Sequence, residues 1–452
     1  MHRLVSVLGL GLLLGTAWLA SNNRRAIRWR IVAWGMGLQV LFALAILKTA
    51  PGHLVFRAVS DAFAKLISFT DDGARFVWGW LYQKDQPPAF VIDVLMTIVF
   101  FAALTSLLYH FGILQRVVGG IARVMRRTMG TSGAETLCAA SNIFVGMTEA
   151  PLAIRPFVET MTRSELHAVM TGGFATIAGG VLAAYASFGI DAGHLVAASF
   201  MSAPAALVAA KMFYPETEES ATAGDLKIRP ERTTANAFDA ICSGAGEGMR
   251  LVLNVAAMLL AFVSLIALVN WGIGLLHRDL TLQKIFGWIF APAAWAMGVP
   301  WEDCTQIGRL LGTRMVVNEF VAYWELAKME VSPRAHVLAT YAFCGFANFG
   351  SIAIQIGGIS TIAPSRRADL ARLGLRAMLA GTLASFLTAA VAGALLSDEQ
   401  VERDYRRNRA EKAATVEERV RHCDAFLRKY PGSPYAEEIR RLREKPLKGE
   451  RP

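Results

Sequence analysis

Two glutamates stand where an apolar chain should not carry charge. Glu149 lies in "NIFVGMTEAPL" (142–152) beside Asn142, Thr148 and Pro151, and Glu319 lies in "NEFVAY" (318–323). A carboxylate at bilayer depth is costly and should face a polar cavity rather than lipid. Each glutamate is followed by a glycine-interrupted apolar stretch. The first reads "GFAT" (173–176) and then "IAGG"; the second reads "GFAN" (345–348) and then "FGSIAIQIGG". Glu149 precedes Gly173 by 24 residues, and Glu319 precedes Gly345 by 26. Interrupted helices at corresponding places in two halves point to a binding site near the bilayer midplane. A broken helix leaves N–H and C=O groups free to hold a substrate or coordinate a cation. Glycines that merely let helices pack closely are the rival reading, and it explains either stretch alone better than both together.

The elements that must position these residues read as an all-α polytopic membrane protein. The chain has 452 residues, 54% hydrophobic and 18% charged, a balance unlike that of a large soluble protein. Apolar runs long enough to span fall at 4–21, 31–49, 90–110, 166–188, 195–213, 250–272, 338–360 and 374–396. That makes about eight transmembrane helices. Segments 134–158 and 305–326 carry the glutamates and are too polar to face lipid, so they read as two re-entrant hairpins. Amphipathic stretches 113–127 and 282–297 precede them as interfacial helices. The first apolar run ends in "WLAS", like a signal-peptide cleavage site, but a charged cluster and a second apolar run follow at once, which favours a first spanning helix.

The net charge of +10 is gathered in short Lys/Arg clusters beside apolar runs, which speaks for membrane topology and against a nucleic-acid partner. Arg24, Arg25, Arg28 and Arg30 place the first connection inside, so the N-terminus is predicted outside. "QRVVGGIARVMRRT" (115–128), the polar stretch 211–249 and "PSRRADLARLGLR" (364–376) also fall inside, and eight spans leave the C-terminus outside. By this count the first hairpin enters from inside and the second from outside, so the repeats are inverted. The predicted division is 1–110 scaffold helices, 111–213 first transport repeat, 214–274 loop and scaffold helix, 275–397 second transport repeat, and 398–452 a charged helical tail. The tail's "CDAFLRKYPGSPYAEEIRRLRE" resembles one tetratricopeptide-like helix pair with a Tyr-Pro break. One repeat cannot bury its own apolar face, so the tail either docks on a neighbour or partner or stays solvated. The five cysteines (Cys138, Cys242, Cys304, Cys344, Cys423) are scattered singly, which indicates neither a disulfide framework nor a zinc site.

"NIFVGMTEAPL", "NEFVAY" and "CGFANFGSIAIQIGG" (344–358), with "LYHFGILQ" (108–115) and "YPETEES" (214–220), resemble signature segments of the concentrative nucleoside transporter family. The resemblance runs from about residue 30 to 396 and leaves out the tail. It implies a homotrimer in a lipid bilayer, with a scaffold and a moving transport domain in each subunit. It implies a bacterial inner-membrane symporter that imports nucleosides. Carried over residue by residue, Gly146, Met147, Thr148 and Glu149 lie near the nucleobase, and Val181 flanks it. Glu319, Asn348 and Ser351 reach the ribose, and Phe346 packs against the ligand. An ionised carboxylate accepting from sugar hydroxyls makes strong bonds. The implied sodium ligands are Asn142, Val145, Thr176 and Ile177, an oxygen set suited to a hard cation; a proton is the alternative coupling ion, and no organic cofactor is implied. Many relatives carry Gln where this chain has Met147, and Gly-Met resembles the purine-preferring branch, with uridine also accepted; broad or pyrimidine specificity is the alternative.

Two other classes compete. An intramembrane enzyme would use Glu149 and Glu319 as an acid/base pair, yet no nucleophile–base set, metal cluster or phosphate loop accompanies them. A channel or receptor would show uptake without accumulation, or binding without uptake.

Overall fold

The computed structural model describes residues 2–81, 92, 95–222, 234–277, 279–411, 416–429 and 436–444. Among them every regular element is helical. The N-terminal helices are α1 His2–Leu19, α2 Trp29–Lys48 and α3 Ala50–Trp78. α4 Met96–His110 turns by 77° into α5 Ile113–Met129, the expected amphipathic helix. α6 Gly133–Ser141 and a 3₁₀ helix, Ala150–Thr160, form the first hairpin. α7 Arg163–Ala175 and α8 Gly179–Ser187 are the two halves of a broken helix, and α9 Ala192–Phe213 follows.

After α10 Ala237–Leu276 the plan repeats. α11 Leu282–Ala296 precedes a second hairpin of α12 Trp301–Val316 and α13 Glu319–Lys328. A second broken helix, α14 Pro333–Phe343 with α15 Phe349–Ile362, leads to α16 Arg367–Leu395. The tail forms α17 Asp398–Glu411, α18 Val416–Lys429 and α19 Ala436–Glu444. The predicted Tyr-Pro break of the tail lies outside the described residues, as do residues 90, 91, 93 and 94 of the predicted third span.

The core is built around α9, which is buried along nearly its whole length and packs on α2, α7 and α16. Small residues allow this approach: Ala203, Ala205, Ala206, Ala209 and Ala210 are fully buried. α10 pairs with α4 and exposes Leu260, Leu268, Trp271 and Leu275 on its other side, as a helix facing lipid or another subunit would.

The hairpins enter from opposite faces. Lys211 and the 214–222 loop meet Glu135 at the start of the first hairpin and Thr162 at its end. The second hairpin starts and ends on the other face, where Ser332 N–H donates to Asp303 at 3.2 Å. That face also holds Arg3, which donates to Ala394 O, whereas Asn22 N–H donates to Phe213 O on the first face. The start of α1 and the end of α16 therefore lie on one side of the molecule, and the two hairpins open to opposite faces.

Several boundaries differ from the expectation. Six described helices are long and apolar enough to span, or seven with the bent pair α4–α5, rather than eight. Segment 338–360 is not one span, because residues 344–348 are unwound. The predicted inside loop 211–249 ends in helix, since α10 already begins at Ala237, capped by Asn236. Most of "PSRRADLARLGLR" belongs to α16 rather than to a loop. No helix was expected over 50–78, where α3 runs for 29 residues. The tail docks on its own chain: Arg334 pairs with Asp398 at 2.8 Å, and Gln400 donates to Leu47 O at 3.0 Å. Its three helices enclose a small apolar cluster of Ala410, Cys423, Phe426 and Ile439.

Candidate functional site

Both breaks have a local cause. Gly345 has φ +156, and a Cβ there would come within 2.5 Å of Phe174 O. Only glycine fits, so "GFAN" crosses directly against "GFAT" at the centre of the molecule. Asn348 then caps α15 by accepting from Ser351 N–H at 2.8 Å, and Asn318 caps α13 by accepting from Val321 N–H at 3.1 Å. In the first hairpin the turn after α6 spans 142–149, and Pro151 sits in the opening turn of the 3₁₀ arm. Pro151 and Pro156 remove N–H donors from that arm, which disfavours a regular α-helix there.

A cavity of about 1390 Å³ lies between the hairpin tips, the second halves of the broken helices and α10. Gly146, Met147, Thr148, Glu149, Val181, Glu319, Phe346, Asn348 and Ser351 all line it. The space continues past Arg123, Arg126 and Arg155 to the face that carries the Arg24–Arg30 cluster. The structure thus brings together every residue of the predicted substrate set.

Glu319 is 2% exposed. Tyr185 OH donates to its Oε1 at 2.9 Å, and Asn348 Nδ2 donates to its Oε2 at 3.3 Å. Position 319 also opens α13, where the helix dipole favours a negative charge. Glu149 is different. It is exposed to the cavity, and the neighbouring Thr148 hydroxyl donates to it at 2.8 Å.

Three of the four predicted ion residues sit behind the cavity wall. Asn142, Thr176 and Ile177 are at most 2% exposed, and Val145 reaches the cavity. Gly179 N–H donates to Phe144 O at 3.1 Å, which ties the hairpin turn to the break after α7. Thr176 Oγ1 donates to Gly172 O at 2.8 Å and keeps acceptor capacity. Asn142 Oδ1 is buried with no hydrogen-bond partner among the described residues. An orphaned amide oxygen on the hairpin turn, with a hydroxyl and unwound backbone at the break to which that turn is tied, fits a hard monovalent cation. Among the described residues no group of His, Cys, Asp and Glu could hold a metal ion instead.

Reading the residues alone missed four contributors. Tyr185 was hidden in the apolar run "GGVLAAYAS". Arg314, 1% exposed, donates to Gly345 O at 3.2 Å and to Ser385 at 3.1 Å, so it holds the second break; an arginine at hairpin depth is a signal that could have found it. Glu247 and Arg250 line the cavity from α10, Glu247 in the stretch that reads as loop and Arg250 at the first residue of the expected span.

Three family models match. "Na+ dependent nucleoside transporter N-terminus" covers residues 8–81, "Nucleoside recognition" covers 91–192, and "Na+ dependent nucleoside transporter C-terminus" covers 194–393. The chain is 43% identical over 426 residues to the rat (Rattus norvegicus) sodium/nucleoside cotransporter 1; the match takes in 89% of this chain and 65% of that protein, less than two thirds of its length. It is 45% identical over 408 residues to an uncharacterized transporter of Haemophilus influenzae, across 87% of this chain and 98% of the relative. Among solved structures it resembles CNTnw in an inward-facing substrate-bound state, with TM-score 0.82 and 41% identity, over 86% of this chain and 98% of the other. A CNTnw double variant in an outward-facing state matches with TM-score 0.82 and 40% identity, over 87% and 98%.

Proposed function

Because the chain belongs to the Na+ dependent nucleoside transporter family, a family of transporters and not of enzymes, we propose that it imports nucleosides by symport with sodium. The reading includes purine nucleosides as preferred cargo, a homotrimer in the bacterial cytoplasmic membrane, and both termini outside.

The observation that carries it is the state of Glu319. A carboxylate offers about four lone-pair sites. Tyr185 and Asn348 take one on each oxygen, and the rest of the group faces the cavity. Its own backbone N–H also bonds to the carboxylate, and the acceptor capacity that remains is turned to the cavity. Two vicinal hydroxyls are the complementary donors, and ribose supplies them. Ser351, at the first turn of α15, adds a further hydroxyl from the same wall. A site built this way rejects a deoxy sugar, since it would leave a buried acceptor unpaired.

Met147, Thr148, Val181 and Phe346 surround the remaining space, which suits a flat base. A thioether offers an adaptable apolar surface rather than a hydrogen bond, and that favours a purine over a pyrimidine that needs a donor at this point. Asn142, Val145, Thr176 and Ile177 supply oxygen ligands for sodium. Binding sodium there lets the ion gradient drive accumulation, provided the site and the cavity open to the two sides in turn.

Uptake of radiolabelled adenosine and uridine into proteoliposomes tests the reading. Accumulation above equilibrium under an inward sodium gradient, with adenosine ahead, is the expected result. Accumulation under a proton gradient alone removes sodium from the ion site and keeps the nucleoside. Uptake that stops at equilibrium overturns symport.

A further inference from the structure

Tyr185 belongs to neither ligand set, yet it is fully buried and its hydroxyl is bonded to Glu319. Its ring packs on Tyr323 at 4.4 Å and Phe320 at 4.9 Å between centroids, both on α13. The other end of its own helix lies at the proposed ion site. α8 begins at Gly179, two residues after Ile177, and Gly179 N–H is held by Phe144 O. Residues 180–186 are all buried. At 1.5 Å per residue, Tyr185 stands roughly 9 Å along the axis from Gly179. A helix this short and this closely packed moves as one piece.

We infer that Tyr185 is a positioning residue that carries sodium occupancy to Glu319. The inference rests on the proposed ion and ribose roles. A cation held by Asn142, Val145, Thr176 and Ile177 fixes where α8 starts. That fixes where the Tyr185 hydroxyl ends, and with it the direction of the Glu319 lone pairs. With the ion gone, the start of α8 is released and the carboxylate loses its alignment for a diol. The two inverted repeats are thereby joined through one hydroxyl, since α8 belongs to the first and Glu319 to the second. A hydroxyl that only satisfied a buried acid would add stability but would not link the two ligands. Linkage requires the effect to run both ways, so nucleoside must also tighten sodium.

The experiment measures adenosine uptake by the full-length chain in proteoliposomes across a sodium titration. The wild type is expected to show a KM about tenfold lower at saturating than at limiting sodium, within the usual range of such couplings. Tyr185→Phe keeps the ring and removes the hydroxyl. Its KM at saturating sodium should rise about tenfold, the scale of a hydrogen bond to a charged group, and the sodium-dependent ratio should fall below about threefold. A variant that keeps the wild-type ratio overturns the relay. Wild-type protein without sodium-driven uptake removes the relay together with the functional reading, so the two failures are told apart by the wild type. Should Tyr185→Phe fail to insert, Gly179→Ala acts from the other end of α8, where the added Cβ would lie 3.1 Å from Phe144 O. It should raise both the sodium requirement and the adenosine KM at saturating sodium; an unchanged KM there overturns the relay.

Discussion

The two repeats share one plan and spend their polar groups differently. In the second, Asn348 and Asn318 cap helices and Glu319 is pinned from two sides at 2% exposure. In the first, Asn142 leaves its amide oxygen unpartnered, and Glu149 is exposed at the cavity. A repeat whose polar groups are committed presents a rigid acceptor for hydroxyls. One whose oxygens are left open can close around a cation. The same contrast holds for the ion pairs made by the two hairpins. Lys211 pairs with Glu135 at 2.7 Å in a buried cluster, while Arg309 pairs with Glu325 at 3.1 Å with side chains 40% and 34% exposed.

The largest difference should appear at those ion pairs. Lys211 also donates to Ser164 at 2.9 Å and reaches Glu216 at 3.4 Å. Lys211→Met leaves Glu135 buried without its cation, which costs about 3–5 kcal/mol. Arg309→Met removes a pair screened by solvent and costs at most about 1 kcal/mol. Thermal unfolding in detergent measures both, and equal losses would break the comparison.

Next comes the pair of carboxylates. Glu319→Gln keeps the shape but loses the charge and one open acceptor site. Uptake should fall by about a hundredfold or more, with insertion retained, because charge-assisted bonds in a buried site are strong. Glu149→Gln should cost about tenfold or less, since that carboxylate is solvated and bonded to the neighbouring Thr148 hydroxyl. Normal uptake by Glu319→Gln would remove its role with the ribose.

Thr176 and Asn348 hold the fourth place of "GFAT" and "GFAN", so they compare the two breaks directly. Thr176→Ala should raise the sodium concentration for half-maximal uptake several-fold and leave nucleoside KM at saturating sodium within about twofold. Asn348→Ala should raise nucleoside KM by about tenfold, as the loss of a hydrogen bond to a charged group does. If both variants shift the same constant, the division of labour is wrong.

Much of this site was legible because glycine, proline and asparagine punctuate otherwise apolar runs, and each mark has a backbone reason. The crossing of the breaks follows from Gly345, whose φ and crowding exclude any side chain. What was missed had its meaning set at a distance. Tyr185 reads as an apolar core residue because its hydroxyl partner lies 134 residues away. α3 escaped notice because Asp61, Lys65, Asp71 and Asp72 interrupt any apolar window of spanning length. The polar start of α10 reads as loop, yet Ser243 and Glu247 line the cavity from a continuous helix. Polarity there marks a wet face and not a break in the helix.

The smallest effect concerns the tip of the first hairpin. Met147 is 9% exposed and packs close to Gly173, so its side chain has little room to turn away. Met147→Gln is nearly isosteric and adds a donor and an acceptor. It should move preference from adenosine toward uridine by about five- to tenfold, the worth of one neutral hydrogen bond near 1 kcal/mol. The sodium requirement should stay where it is, since three of the four proposed ion residues, Asn142, Thr176 and Ile177, lie behind the cavity wall. A shift in preference without a shift in sodium would show that one hairpin reads the base with its tip and holds the ion with its turn. An unchanged preference would move base reading to Val181 and Phe346, leaving the first hairpin to the ion alone, and the contrast between the repeats would then be sharper still.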